Sequence, residues 1–184
     1  REIMDWVGKA PKTFEFHAQD PKYTVQIGGT KVVNATAGGC TKIMENDGTS
    51  RPAQIEDYIN LLKLYEQNDN YSINGGLPCQ PENLPEKWAT LILYYLALTH
   101  SNKAVWCACG DYEEMETVVQ LCLARFKLTI DELKEKPHLL AIVNTNTPLQ
   151  LDRNMTETLL TFAKYRQPVA ISAAAMAGTT APVT

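Results

Sequence analysis

The sequence predicts an α/β protein in which a small antiparallel β-hairpin region precedes a partial (β/α)8 TIM barrel of about four βα units. Short apolar runs recur at roughly the spacing of a βα unit, capped helices lie between them, and the first fifty residues follow a different, alternating pattern. Short apolar runs suit strands buried on both faces. Strand–helix–strand repeats at this spacing require right-handed parallel crossovers.

The N-terminal part of the chain predicts two β-hairpins. Residues 23 to 47 are rich in β-branched residues and alternate between apolar and polar positions. The pair Gly28-Gly29 predicts a turn that joins the first strand to the segment TKVVNAT, and Gly38-Gly39 interrupts the next pair. We therefore expect residues 1–50 to form a β-hairpin extension that lies outside the barrel.

The remaining residues predict alternating strands and capped helices. Four short apolar runs are expected to be strands, and they lie near residues 71–74, 104–108, 139–144 and 168–172. Proline and N-x-x-E-like capping pairs predict where the intervening helices begin. These signals are Pro52, Asn83 with Glu86, Asp111 with Glu114, Thr129 with Glu132, and Asn154 with Glu157. We expect the strands to be parallel and to be neighbours in chain order.

The predicted units amount to half of a barrel, which would leave two unpaired sheet edges. The chain begins at Arg1 and ends at Thr184. We therefore expect residues 51–184 to be the first half of a (β/α)8 barrel that is truncated at both ends, with further strands beyond Thr184. No G-x-G-x-x-G motif follows the first strand, which disfavours a doubly wound sheet that binds a dinucleotide or S-adenosylmethionine.

The overall composition is that of a soluble globular domain and disfavours several classes of protein. The chain has 45% apolar and 21% charged residues and a net charge of −4, whereas a nucleic-acid-binding protein needs basic patches. No stretch approaches the roughly 20 apolar residues of a membrane span. The 5 cysteines are an odd number without a secretory signal, so we expect reduced thiols and a cytoplasmic location.

Several motifs carry a family resemblance. They are Asn144-x-Asn-x-Pro-Leu, Pro168-Val and Gly178-Thr-Thr-Ala-Pro-Val-Thr. With the stretches at 43–64 and 83–106, they make the chain from about Tyr23 onward similar to the trimethylamine methyltransferase family. The resemblance implies a (β/α)8 barrel that moves a methyl group from trimethylamine or a betaine-like quaternary amine to the Co(I) corrinoid of a partner protein. It also implies a role in methylamine metabolism such as methanogenesis.

The resemblance further implies that this chain binds no cofactor directly, because the corrinoid (cobalamin) is carried by the corrinoid protein. The expected partners are that protein, a small methylated amine and a further copy of the chain. We expect no nucleic acid, membrane or metal ion. The trimethylamine enzymes of the family carry pyrrolysine later in the barrel, so the donor branch stays open, and we expect these 184 residues alone to be inactive.

Alternation along the strands predicts the side chains that would line the substrate site. Polar, small or aromatic residues near the strand ends would face the barrel interior at its carboxyl-terminal rim, where such barrels bind substrate. The predicted substrate-binding residues are Trp106, Asn74, Asn144, Asn146 and Ser172. The indole of Trp106 would hold a trimethylammonium group. Packing of Trp106 against a helix, and side-chain turns at the asparagines, stay open as alternatives, as does packing for Ser172 and Met176. The sequence assigns no catalytic residue.

One loop suggests a different enzyme. The stretch GGLPCQP, with Cys79 at its centre, resembles the nucleophile loop of the DNA cytosine-5 methyltransferases, but the glycine loop and acidic motif of those enzymes are missing. A cytosine-5 DNA methyltransferase fragment is therefore the weaker alternative, together with a non-catalytic barrel fragment. Cys107 and Cys109 could face the same way from a strand, but no third ligand lies nearby in the sequence.

Overall fold

The computed structural model describes residues 4–5, 8–36, 38–146, 150–173 and 178. In this part of the chain the strands are β1 (Thr13–Phe16), β2 (Val25–Gly28), β3 (Lys42–Met44), β4 (Ser50–Pro52), β5 (Ile73–Gly75), β6 (Ala104–Trp106), β7 (Ala141–Thr145) and β8 (Val169–Ala173). The α-helices are α1 (Ile55–Gln67), α2 (Ala89–His100), α3 (Tyr112–Phe126), α4 (Ile130–Glu135) and α5 (Arg153–Lys164). A short 3-10 turn covers Pro21–Tyr23.

The last four of these strands pair in parallel and follow the chain order. β5 pairs with β6, with Ile73 opposite Ala104, and β7 pairs with β8, with Ala141 opposite Val169. A parallel bridge between Cys107 and Ala141 connects the two pairs. Helix α2 connects β5 to β6, α3 and α4 connect β6 to β7, and α5 connects β7 to β8. The pairing has the direction and order that the sequence predicts.

Two antiparallel hairpins are present in this region, but their strands and turns are not the predicted ones. β2 pairs antiparallel with the preceding β1, and β3 pairs antiparallel with β4. The segment TKVVNAT after Gly28-Gly29 contributes a single parallel bridge, from Ala35 to Ile73. Pairing of β2 with β1 buries Phe16 and Val25 together, whereas Val32 in the TKVVNAT segment stays 80% exposed. Strand β2 therefore pairs with β1, where apolar side chains of both strands are buried, and not with the segment that follows the glycine turn.

The parallel strands carry an apolar core on each of their faces. One face packs against the helices through residues such as Val105 and Cys107. The opposite face packs against the β1–β2 hairpin, where Phe16 and Trp106 belong to one buried cluster. The first hairpin of the N-terminal region thus covers the sheet face that points away from the helices.

The helix starts follow local capping signals in part. Asp111 caps α3 by accepting a hydrogen bond from the Glu114 amide, and Thr129 and Glu132 cap α4 reciprocally, as predicted. The cap of helix α5 lies two residues before the predicted cap Asn154, because Asp152 accepts a hydrogen bond from the amide of Met155 and the helix begins at Arg153.

The other two predicted starts are wrong. Pro52 ends strand β4, and α1 begins at Ile55. The Asn83 side chain does not cap the helix that follows it, because its Oδ1 accepts a hydrogen bond of 3.0 Å from the Ile55 amide at the start of α1. Helix α2 begins after Trp88, whose φ of 73° lies in the left-handed region.

Within the described residues, no helix combines the length and the apolar character needed to cross a membrane.

Candidate functional site

A cleft lies at the carboxyl ends of the parallel strands. A cavity of about 710 Å³ is bounded by the β5–α2 and β6–α3 loops, by β3 and by the start of α5. A smaller cavity of about 310 Å³ adjoins it, because Glu86, Glu114 and Asn154 line both. The smaller cavity is also lined by Lys87, Trp88 and Asp111. Parallel α/β proteins bind ligands at this end of the strands.

Glu114 connects the two helices that border the cleft. Its side chain is 8% exposed, and its Oε1 accepts a hydrogen bond of 3.0 Å from the Leu91 amide in the first turn of α2. Trp88 at the start of α2 offers no side-chain cap, so the carboxylate from α3 satisfies one of the free amides there. Burial raises the pKa of the Glu114 carboxyl, although the hydrogen bonds from α2 amides oppose that effect. Gly110 leaves room for this side chain, because a Cβ there would overlap Oε2.

Trp88 lines the smaller cavity. Its ring is half-buried, and the ammonium of Lys87 lies 4.8 Å from the ring centroid. The same ammonium is 3.4 Å from a carboxylate oxygen of Glu113. The Lys87 ammonium therefore lies over the indole, as cations favour, and carboxylates line the same cavity. We did not predict Trp88 from the sequence, where the Asn83–Glu86 pair suggested an earlier helix start.

Trp106 lies elsewhere, in the core beneath the β1–β2 hairpin. It is 6% exposed, and its Nε1 donates a hydrogen bond of 2.8 Å to Oγ1 of Thr36. The indole packs directly on Gly76, where any side chain would overlap the ring, and lies 3.6 Å from the position of a Cβ on Gly38. Trp106 is on the face opposite the helices, as predicted, but its neighbours leave little of the ring open to a ligand.

Asn74 is on the wrong side of the sheet for the predicted role. It pairs in register with Val105, which packs against the helices. Its side chain is wholly buried, with Nδ2 donating to the Leu62 carbonyl at 3.0 Å and Oδ1 accepting from the Gly75 amide at 2.8 Å. The prediction that Asn74 shares a face with Trp106 is wrong, because the carbonyl of α1 supplies the buried partner that its amide needs.

The remaining predicted residues share the face of Trp106. Asn144 and Ser172 are opposite each other in the β7–β8 register, and Asn144 is exposed. Asn146 is exposed too, and its backbone forms two hydrogen bonds with that of Gln150, at 2.7 and 3.0 Å. These polar groups are accessible near the carboxyl ends of β7 and β8. Met176 lies outside the described residues.

The cysteines do not form a nucleophile or a metal site in this arrangement. Cys79 is wholly buried, and burial raises the pKa of its thiol to about 11, so the thiol is neutral at physiological pH. Burial also raises the pKa of Cys107, and that of Cys109 to about 11. The Cys109 thiol donates to the Ile142 carbonyl at 3.3 Å. Over the described residues, no group of three or more Cys, His, Asp or Glu side chains could hold a metal ion.

The fold and the cleft together define an α/β protein whose parallel βα units gather polar, acidic and aromatic side chains at the carboxyl ends of the strands. That is the usual position of a small-molecule site in such proteins. The chain belongs to the trimethylamine methyltransferase (MTTB) family, whose sequence model matches residues 1–184.

The chain is also similar to an individual methyltransferase. Over 173 residues, 94% of this chain, the sequence is 33% identical to the glycine betaine methyltransferase of Desulfitobacterium hafniense (strain Y51). The chain spans 36% of the length of that relative. The resemblance seen in the sequence motifs is thereby confirmed. With the burial of Cys79, the family assignment rejects the cytosine-5 DNA methyltransferase alternative.

Proposed function

We propose that this chain is part of a corrinoid-dependent methyltransferase that takes a methyl group from a betaine-like quaternary amine. The observation that carries the proposal is the 33% identity over 173 residues to a glycine betaine methyltransferase. The family match over the whole chain agrees with a methyltransferase but leaves the donor open. The identity favours the quaternary amine over trimethylamine as donor.

We also propose that β5 to β8 are the first four strands of a (β/α)8 barrel in the whole protein. Their parallel order and alternation with helices support this architecture. Ile171 of β8 pairs with Val143, which is buried on the helix-facing side, yet Ile171 is 68% exposed. A following βα unit would cover it, and the relative is long enough to supply one.

The chemistry asks little of the protein beyond positioning. In the proposed reaction the nucleophile would come from the Co(I) corrinoid of a partner protein. The carbon–nitrogen bond of the donor breaks, and its electron pair stays on nitrogen to give a neutral tertiary amine. The enzyme must bind the cationic donor, point one methyl group outward and leave that methyl accessible. The open cleft at the carboxyl ends of the strands meets that last requirement.

The cleft offers groups that suit a trimethylammonium ion. The Trp88 ring already contacts an ammonium, and the carboxylates of Glu86, Asp111 and Glu114 line the same cavity. A permanently charged, poorly hydrated cation is held by aromatic faces and by nearby negative charge, without hydrogen bonds. We therefore place the donor headgroup beside Trp88.

A betaine also carries a carboxylate, and donors for it are available. Lys42 lines the larger cavity. The amides of Asn144 and Asn146 and the hydroxyl of Ser172 are the predicted residues that remain accessible on the inner face of the strands. Each can donate a hydrogen bond to a carboxylate. These residues stay candidates for the substrate site, whereas Trp106 and Asn74 are assigned to the core.

Calorimetric titration of the full-length protein tests this proposal. We expect glycine betaine to bind at least tenfold more tightly than 3,3-dimethylbutanoate, which has the same shape with carbon in place of the charged nitrogen. The charge is then responsible for recognition, at about 1.4 kcal/mol per tenfold. Equal affinity for the two compounds, or preference for trimethylamine, would contradict the assignment of the donor.

A further inference from the structure

Cys40 and Cys79 are direct neighbours in the fold, although they lie far apart in the sequence. They are partners in a parallel β-bridge, and backbone hydrogen bonds hold the two segments together. The Gln80 amide donates to the Cys40 carbonyl at 2.7 Å, and the Gly39 amide donates to the Leu77 carbonyl at 2.8 Å. Paired residues of neighbouring strands lie about 4.8 Å apart and point to the same face. A disulfide needs a Cα–Cα separation of about 4.4 to 6.8 Å, so this pair can be bridged with little backbone movement.

The side chains of the two cysteines also face the same helix. Cys79 is wholly buried in the core cluster that contains Tyr58 of α1. Burial raises the pKa of the Tyr65 hydroxyl on that helix, and both cysteines raise it further. Burial is likewise the main cause of the raised pKa of Cys79, and Cys40 adds to it. Electrostatic effects of this kind weaken with distance, so both sulfur atoms lie on the α1 side of the bridge.

The two thiols differ in their access to solvent. The structure describes all 5 cysteines as free thiols, and Cys40 is the one among them that is exposed. Cys79, Cys107 and Cys122 are buried, and Cys109 is half-buried. A dissolved oxidant therefore meets Cys40 first. Redox-sensitive sites have this arrangement, in which an accessible cysteine lies next to a second thiol that resolves it.

We propose that Cys40 and Cys79 form a modification site that closes to a disulfide when the protein meets a peroxide. The exposed Cys40 is the thiol that reacts with the peroxide, and the buried Cys79 is the resolving thiol. Cys79 is neutral at physiological pH, which slows its reaction with dissolved reagents. Its position beside Cys40 offsets this, because a partner held in place reacts as if it were present at very high concentration.

The reaction with hydrogen peroxide balances without a further reactant. The deprotonated sulfur of Cys40 attacks one peroxide oxygen, the O–O bond breaks, and the hydroxide that leaves takes up the Cys40 proton as water. Cys40 is then a sulfenic acid. The Cys79 sulfur attacks the Cys40 sulfur, the S–O bond breaks, and the leaving hydroxide takes up the Cys79 proton as a second water. The two thiols lose two electrons, which reduce one peroxide molecule.

The disulfide would join two walls of the cleft. Residues that come directly after the two cysteines line the larger cavity, and these are Thr41, Lys42, Gln80 and Pro81. The covalent bond would therefore tie the β3 side of the cleft to the β5–α2 loop. This follows from the position of the cysteines, whatever the cleft binds, so the disulfide does not depend on the proposed function.

Peptide mapping of the full-length protein tests the disulfide. The protein is treated with hydrogen peroxide, the remaining thiols are alkylated, and the single chain is isolated by non-reducing electrophoresis and digested for mass spectrometry. We expect a linked pair of peptides that contain Cys40 and Cys79, lighter than their sum by two hydrogen atoms and absent after treatment with dithiothreitol. Cys109→Ser is the matched control, because Cys109 is the other cysteine that is not buried, and the link should persist in this variant.

Cys79→Ala separates the two steps of the reaction. Without the resolving thiol, Cys40 should stop at the sulfenic acid, and its labelling by dimedone should be at least tenfold greater than in the wild type. The wild-type map needs no variant, so it stands even if Cys79→Ala fails to fold. An oxidised wild type without a Cys40–Cys79 link, or with Cys40 joined to another cysteine, would overturn the proposal. Equal dimedone labelling of Cys40 in the wild type and in folded Cys79→Ala would overturn it as well.

Discussion

Trp88 and Trp106 have the same side chain in two different surroundings, and these determine what each can do. The Trp106 indole is buried, hydrogen-bonded to Thr36 and pressed against Gly76. The Trp88 ring is half-buried, borders the cleft and holds the ammonium of Lys87. The sequence identified the need for an indole near the strand ends, but it could not show which indole stays open, because that depends on packing by distant segments.

Substitution of the two tryptophans should separate binding from stability. We expect Trp88→Ala to weaken glycine betaine binding by roughly two- to thirtyfold, the loss of about 0.5 to 2 kcal/mol of cation–π attraction, and Trp88→Phe to restore part of it. Trp106→Ala should instead cost about 3 to 5 kcal/mol of unfolding free energy without a selective effect on the donor. Calorimetry and chemical denaturation of the full-length variants provide the two measurements. A loss of donor affinity in folded Trp106→Ala, but not in Trp88→Ala, would reverse the assignment.

His138 should make stability depend on pH. Its ring is 9% exposed, stacks on His17 at 5.2 Å between centroids and lies 4.3 Å from Phe126, and no described group pairs with its Nδ1. Burial, followed by the nearby charges of His17 and Lys136, lowers the pKa of His138 to about 4. The unfolded chain therefore binds the proton more readily than the folded protein does.

The lowered pKa of His138 makes acid destabilise the folded protein. Stability should be complete above the ordinary histidine pKa of about 6.5 and should fall as the pH drops from there to about 4, by roughly 3 kcal/mol at most. His138→Phe keeps an aromatic ring in place and removes the titration, so its stability should be flatter over this range. Urea denaturation at several pH values measures both proteins. An equal slope in wild type and variant would show that other groups cause the pH dependence.

The capping of the helices shows how elements are fixed by residues far away in the sequence. Asn83 caps α1, which lies upstream of it, and Glu114 of α3 satisfies an amide of α2. Local patterns found the boundaries at Asp111 and Thr129, where the cap belongs to its own helix. They failed at Asn83, because an N-x-x-E spacing does not tell which helix end lies nearest in space.

Lys103 provides a test of such a distant cap at the other end of α1. Its side chain is buried, and its ammonium donates hydrogen bonds of 2.8 Å to the carbonyls of Tyr65 and Asn68 at the carboxyl end of that helix. A cation is favoured there by the free carbonyls and by the helix dipole.

We expect Lys103→Met to lower the free energy of unfolding by about 1.5 to 3 kcal/mol, the usual value for hydrogen bonds from a charged group. The exposed Lys63, which lies on α1, is the matched control, and Lys63→Met should change the free energy of unfolding by less than about 0.5 kcal/mol. Chemical denaturation of both variants gives the comparison. Equal, small effects would show that the buried lysine contributes nothing through its cap.

The parallel strand order could be predicted for the molecule as a whole, because each strand is a short apolar run between helices and such repeats allow few topologies. The placement of the first hairpin could not be predicted, because its partner is a sheet face assembled from β5, β6 and β7. Asn74 was mispredicted for the same reason. Its polar side chain suggested the inner face, but it faces α1 and donates a hydrogen bond to a carbonyl of that helix.

Ile171 tests whether the sheet continues as proposed. In the full-length protein a following βα unit would bury this side chain, so Ile171→Lys should cost at least about 2 kcal/mol of unfolding free energy. Leu160→Lys, on the outward side of α5, should cost little, since Leu160 is 62% exposed. Chemical denaturation of the two full-length variants measures the difference in their free energies of unfolding. A neutral Ile171→Lys would show that nothing covers β8 and would contradict the barrel.

A methyl-transfer assay tests the proposed activity and the choice of donor. The full-length protein is mixed with cob(I)alamin under strictly anaerobic conditions, and the loss of the Co(I) absorbance is followed with glycine betaine, trimethylamine or neither as donor. We expect rapid loss of the Co(I) absorbance with glycine betaine, little with trimethylamine and none without a donor, together with one dimethylglycine formed per cobalamin methylated. Loss of Co(I) with trimethylamine in preference to glycine betaine would contradict the proposal, as would a glycine betaine rate equal to that without enzyme.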